Sequence, residues 1–248
     1  MVFSIIYLDL NKTALAGVFL AVVVPVICYF IVDHYSTDAV DMPRRYYVDT
    51  VLTKVEGGKE FTDTVWHKAA NFHLTNQLGQ EVSLDDLQGK VIVANFFFTR
   101  CPSICPSLTM NMKRLQNTLK LKDVTRKIDT TFVQFLSFSV DPQRDSAVQL
   151  KKYADRYGVN HDVWWMLTGN KKTIYDFALN EVKLSAIDGE GVDSNFIHTE
   201  KFVLLDRDRV VRGYYNGLDS MAMADLAGDI VKIFIEKDKK KKRNLFRK

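Results

Sequence analysis

The sequence predicts an α/β protein, a central mixed sheet flanked by helices, carried behind an N-terminal transmembrane helix. Three observations predict it: a long uncharged apolar stretch near the start, two near-continuous β-favouring runs further on, and helical apolar spacing after each run. Ala14 to Val32, ALAGVFLAVVVPVICYFIV, is nineteen residues without a charge. At about 1.5 Å per residue that crosses a hydrocarbon core of about 30 Å. A cleaved signal would have a shorter apolar region and a small-residue cleavage site, which CYFIVDHYS does not offer. Cys28, preceded by the bulky Ile27, does not suit lipid attachment, and Pro25 is a candidate kink. Lys12 precedes the span while Asp33, Asp38 and Asp41 follow it, so the positive-inside bias puts residues 1–13 in the cytoplasm. The leader contains an Asp and no Arg, unlike a mitochondrial transit peptide. The expectation is a single-pass protein of a bacterial inner membrane with its C-terminal domain in the periplasm.

After the span, residues 33–63 are polar and mixed, with Pro43 and the Gly57-Gly58 pair, and read as a tether. The domain is expected over 64–236. FHLTNQLGQEVSLDDLQGK alternates around Leu78-Gly79-Gln80 and predicts a hairpin. VIVANFFF, Val91 to Phe98, predicts a strand buried on both faces, and Leu108, Met112, Leu115 and Leu119 then predict an amphipathic helix. TTFVQFLSFSV, Thr130 to Val140, predicts a second buried strand, followed by a helix ending at Gly158. KKTIYDFALNEV reads as a short helix, EKFVLLD and RVVRGYYNG as a hairpin about Asp206-Arg207-Asp208, and SMAMADLAGDIVKIFIE as the last helix. Alternating strands and helices that close with a hairpin and a helix are the element order of a thioredoxin-like sandwich.

Charge excludes one class of function. The net charge is +4, but KDKKKKRNLFRK at 237–248 holds eight Lys or Arg and one Asp. Taking that +7 from +4 leaves −3 for the rest, so the positive charge lies in a terminal tail rather than on a face that could grip phosphates. A nucleic-acid partner is not expected.

Three cysteines are too few for a disulfide scaffold, and the pair Cys101 and Cys105 is the sole dithiol outside the apolar segment. It lies in CPSIC, between a predicted strand and a helix on whose first turn Pro106 is expected at the opening position. Partial positive charge at a helix start favours thiolate over thiol. Three intervening residues rather than two depart from the usual thioredoxin-type spacing, and two thiolates without a full zinc set suit a soft, low-coordinate ion, copper(I) first. Of five histidines, His34, His67, His73 and His161 read as ordinary surface residues. His198, in SNFIHTEKFVLLD, stands where a reductase of this fold carries a cis-proline, and no proline follows Pro142. It is the candidate third ligand.

GKVIVANFFFTRCPSICPSL, SFSVDPQRDSAVQLKKYADRYG, WWMLTG and FIHTEKFVLLD together resemble the Sco/SenC copper-handling proteins of cytochrome c oxidase assembly, from about Leu74 to Ile230. The resemblance implies copper, as Cu(I) or Cu(II) or both, held by Cys101, Cys105 and His198, and an N-terminal anchor. It implies delivery to a cuproprotein such as the copper-bearing subunit of cytochrome c oxidase. Asp141 resembles a family position close to the site; its other reading is the cap of the following helix. Family members often carry an acidic residue where this chain has Ser103, and Arg100 precedes Cys101. Both departures should favour thiolate and make the dithiol easier to reduce. The alternative function is therefore a thiol-disulfide oxidoreductase with Cys101 as nucleophile and Cys105 as resolving thiol. A peroxiredoxin-like peroxidase fits less well, because Thr99 and Arg100 do not reproduce its Thr-x-x-Cys order.

Overall fold

The computed structural model describes residues 12–36, 41–56, 59–126, 132–184 and 199–245. The chain divides into two compact units, Met1–Met42 and Pro43–Lys248. The first holds helix α1, Lys12–Ser36, with Pro25 inside it. Its apolar side chains Phe19, Leu20, Tyr29, Phe30 and Val32 are exposed. Side chains of α1 are described at Gly17 and 19–32, and among the described residues no helix is long and apolar enough to cross a membrane.

The expected tether is partly structured. Val48–Glu56 (β1) and Lys59–Trp66 (β2) form an antiparallel hairpin running from Val48 opposite Trp66 to Glu56 opposite Lys59. Val48, Thr50, Val51, Thr53 and Val55 are β-branched, so the backbone preference was present beneath a polar composition that reads as linker. The Tyr46 amide donates to the Val211 carbonyl at 2.9 Å, the Ala69 amide to that of Arg209 at 3.1 Å, and the Tyr47 and Tyr214 hydroxyls bond each other at 2.9 Å. These bonds tie the base of the hairpin to the domain.

The domain is built on a seven-stranded mixed sheet. In chain order its strands are β3 (His73–Asn76), β4 (Glu81–Ser83), β5 (Val91–Phe97), β6 (Val133–Ser139), β7 (Trp164–Thr168), β8 (Lys201–Leu205) and β9 (Val211–Asn216). Across the sheet they run β4-β3-β7-β6-β5-β8-β9. β5, β6 and β7 are parallel neighbours and the remaining pairings are antiparallel. The expected first hairpin is β3–β4, turning at Gly79 with φ +78°, a conformation that suits glycine. β7 was legible only as a motif, because four consecutive apolar residues carry no period that separates strand from helix.

The helices are α2 (Ile104–Arg126), α3 (Ala147–Arg156), α4 (Lys171–Asp176), which continues as a π turn over Phe177–Glu181, and α5 (Ser220–Leu245). α5 carries its helical backbone nine residues into the expected basic tail at 237–248. Both central strands are buried on both faces, and alternate residues serve two cores. Val91, Val93 and Phe97 pack with Leu108, Met112, Leu115 and Leu119 of α2, with Leu150 of α3 and with Ile230 of α5. Ile92, Ala94 and Phe96 pack with Phe72, Phe138 and Phe177 on the other face. Each such buried side chain contributes about 1.5–3 kcal/mol, which is what holds the ends of β5 and β6 rigid beneath the loops that follow.

Candidate metal site

Phe97 at the end of β5 lies opposite Ser139 at the end of β6, and the Val140 amide donates to the Phe97 carbonyl at 2.9 Å. Parallel pairing therefore sends two loops, 98–103 and 140–146, out of the same edge of the sheet. Ligand-binding groups gather at such carboxyl-end edges because the strands are rigid and the loops are free to vary.

The first loop closes quickly. The Cys101 amide donates to the Phe98 carbonyl at 3.2 Å, and α2 begins at Ile104. Cys105 is thus the second residue of the helix and Pro106 the third, not the first as expected. Proline is tolerated there because the first four helical amides have no partner within the helix. The shift matters chemically, since the Cys105 amide becomes one of those free donors.

Both thiols are reduced and buried, Cys101 7% and Cys105 4% exposed. Burial opposes ionisation of Cys101, yet the backbone amide and thiol of Cys105, with the amide and hydroxyl of Ser103, outweigh it and lower its pKa. The Ser103 hydroxyl oxygen is 3.9 Å from the Cys101 sulfur. Burial pushes Cys105 up to about 12, and the neighbouring Cys101 sulfur adds to the rise. One sulfur is therefore tuned toward thiolate while the other keeps its proton until a cation or a reaction displaces it. Ser103 acts in the direction expected from sequence. Arg100 does not figure among the groups that lower Cys101.

Asp141 stands on the second loop, at the same edge. Its amide donates to the Ser139 hydroxyl at 3.2 Å, and its carboxylate lies 3.4 Å from the Arg144 guanidinium. It does not cap α3. Ser146 does, its hydroxyl accepting from the Gln149 amide at 3.4 Å. His198 lies outside the described residues. β8 runs antiparallel to β5, with Val203 opposite Ala94 and Leu205 opposite Ile92, so its first residue, Lys201, is at the edge from which the cysteine loop leaves. Among the described residues, no three His, Cys, Asp or Glu side chains are grouped to hold a metal ion.

The other domain histidines are engaged elsewhere. His67 pairs with Asp49 at 2.9 Å and Glu181 at 3.5 Å, His73 lies 3.7 Å from Glu81, and His161 contacts Gln77 at 2.9 Å and Asp155 at 3.2 Å. The residue that sequence reasoning missed is Asp145. Its carboxylate is 1% exposed and accepts from the Thr99 amide at 3.0 Å, the Thr99 hydroxyl at 2.5 Å and the Ser139 hydroxyl at 2.6 Å. Nothing in the spacing of SVDPQRDS separates this buried aspartate from Asp141 four residues earlier.

With this geometry in view, four similarities stand out. The SCO1/SenC family model matches residues 62–234. The SCO1 protein homolog of Bacillus subtilis (strain 168) is 37% identical over 175 residues, 70% of this chain and 86% of that protein. A Stutzerimonas stutzeri protein named for inferred copper binding is 32% identical over 143 residues, covering 57% of this chain and 65% of its own. A solved structure of BsSco, described as a member of the Sco family of cytochrome c oxidase assembly proteins with a disulfide switch, superposes with a TM-score of 0.56. It is 37% identical and covers 69% of this chain and 95% of its own.

Proposed function

Because the chain belongs to the SCO1/SenC family, we propose that its dithiol loop binds copper as cargo and passes it to a cuproprotein acceptor, such as the copper-bearing subunit of cytochrome c oxidase. The observation that carries this reading is the free pair Cys101 and Cys105 on one strand-to-helix turn, with Cys101 tuned toward thiolate by the amides and side chains of Cys105 and Ser103. Thiolates are the ligands that a soft, low-coordinate ion selects. The donor set fits, and the name of the Stutzerimonas stutzeri relative points the same way. His198 is the proposed third ligand, three residues before Lys201, the first residue of β8. Asp141 is the proposed outer partner on the neighbouring loop.

Residues 14–32 anchor the chain in a bacterial inner membrane in this reading, with the domain periplasmic. The exposed apolar side chains of α1 support it. Alkaline carbonate extraction of membranes carrying the full chain is expected to leave it in the pellet; release into the supernatant would remove the anchor.

For the site, the reduced full chain is titrated with copper(I) against a competing chelator. One copper per chain is expected, lost in Cys101→Ser with Cys105→Ser and weakened in His198→Ala. Undiminished binding in His198→Ala removes that residue from the site. No binding by the wild type overturns the carrier reading.

The split acidity of the thiols favours a second reading, a thiol-disulfide oxidoreductase. The Cys101 thiolate attacks an acceptor disulfide and releases one acceptor sulfur, which takes a proton. Cys105, losing its proton, then attacks the mixed disulfide. The products are the acceptor dithiol and a Cys101–Cys105 disulfide, two electrons having moved to the acceptor. A reduction potential near that of thioredoxin, about −270 mV, supports this reading; a far more oxidising value sinks it.

A further inference from the structure

Asp145 has a chemistry that core packing does not explain. It is a carboxylate 1% exposed, and its described partners are the neutral donors Thr99 N–H, Thr99 O–H and Ser139 O–H, with no cation among them. An isolated carboxylate is costly to bury, and only a full set of hydrogen bonds offsets that cost. The donors come from two different places. Thr99 lies two residues before Cys101, in the turn closed by the Cys101 amide on the Phe98 carbonyl. Ser139 ends β6, and its hydroxyl oxygen also receives the Asp141 amide at 3.2 Å. The Asp145 backbone amide in turn donates to the Asp141 carbonyl at 3.0 Å. One buried side chain thus joins the loop that carries Cys101 to the loop that carries Asp141, and fixes both to the end of the sheet.

We propose that Asp145 is the positioning residue of the dithiol site: its two carboxylate oxygens hold Thr99 by both backbone and side chain, and so preset where Cys101 stands relative to Cys105. This rests on the site described above but not on copper being its cargo, because a preset pair of sulfurs is equally needed to close a disulfide. A carboxylate is the side chain suited to the task, since it accepts on several lone pairs and donates nothing, whereas an asparagine presents an N–H₂ to one of the same donors. Outer partners that orient a ligand typically contribute about 10–100-fold to metal affinity.

The test compares the full chain with Asp145→Asn, Asp145→Ala, Thr99→Val and the control Ser137→Ala. Ser137 is a buried hydroxyl of the same strand that bonds Asn95 at 2.6 Å and receives the Trp164 indole N–H at 2.9 Å, away from the loops. Three quantities are measured on each: copper(I) affinity by chelator competition, the Cys101–Cys105 reduction potential in a thiol redox buffer, and the melting temperature of the reduced apoprotein. In Asp145→Ala, copper(I) affinity is expected to fall about 10–100-fold. Its disulfide is expected to become easier to reduce by at least about tenfold, which is about 30 mV, because the sulfurs lose their preset approach. Asp145→Asn and Thr99→Val fall between, and Ser137→Ala lowers the melting temperature while leaving affinity and potential in place.

Should Asp145→Ala fail to fold, Asp145→Asn and Thr99→Val carry the same readouts. Affinity and potential within threefold of wild type in the folded variants, with only the melting temperature lowered, overturn the proposal. If wild type binds no copper(I), the carrier reading fails alone, and the shift in potential still decides the role of Asp145.

Discussion

The two ends of the central sheet each bury a carboxylate, and they treat it in opposite ways. At the end where the β8–β9 turn lies, Asp206 meets the Arg212 guanidinium at 3.0 Å; Arg212 also reaches Glu236 at 3.1 Å and the Pro43 carbonyl at 2.6 Å. Arg45 adds weaker pairs to Asp206 at 3.9 Å and Glu236 at 3.7 Å. This cluster is closed: cation, anions and carbonyl satisfy one another, and they lock the entering segment at Pro43 and the helix α5 onto the sheet. At the other end Asp145 is met, among the described residues, by neutral donors alone, and the two thiols of the loop that it holds form no disulfide. The first end spends its polar groups on structure. The second keeps its two thiols out of a disulfide, as the proposed uptake and release of a cargo would need.

That contrast can be broken first at the closed end. Arg212→Met removes the cation that Asp206 and Glu236 share and leaves a buried carboxylate uncompensated, so a loss of about 3–5 kcal/mol is expected. Urea unfolding of the full chain measures it. Copper(I) affinity and the dithiol potential should stay at wild-type values in the fraction that folds, unlike the Asp145 variants, which act on the site first. A loss below about 1 kcal/mol, or a site disturbed as much as by Asp145→Ala, would erase the distinction between the two ends.

A smaller effect sharpens the contrast within the site itself. Cys101 has a pKa lowered from 9.0 by the amides and hydroxyl around it, while burial pushes Cys105 up to about 12. Alkylation requires the thiolate, so the Cys101 rate should rise with pH and level off below 9, while the Cys105 rate keeps rising toward about 12. Mass spectrometry of the reduced chain treated with iodoacetamide at pH 8 should find Cys101 labelled first. In Ser103→Ala the levelling-off should move upward, because one donor to the Cys101 sulfur is gone. Equal rates at both cysteines would show that the first turn of α2 does not separate them.

How much of this was legible in advance follows from the range of the interactions concerned. Strands β5 and β6, helices α2 and α3 and the closing hairpin were readable because period and turn residues act over a few neighbours. The dithiol was readable for the same reason, since CPSIC carries its own junction. The start of α2 was misplaced by two residues because Pro106 is acceptable anywhere in the first turn, so the residue alone does not choose its position. The hairpin β1–β2 is not legible as strands because the polar composition of 33–63 reads as linker and masks its β-branched residues.

The sequence by itself determined the α/β element order, the family and the presence of two cysteines at a strand-to-helix junction, all properties of local pattern. Only the tertiary structure decided that Asp145 rather than Asp141 holds the Thr99 loop, and that the two thiols differ in acidity. Each of these depends on which groups 140–146 meet when parallel β5 and β6 end side by side, and on how much water is left around each sulfur. Burial and cross-loop hydrogen bonds are set by contacts between residues far apart in the chain, as Thr99 and Asp145 are at 46 positions, and no period along the chain encodes them.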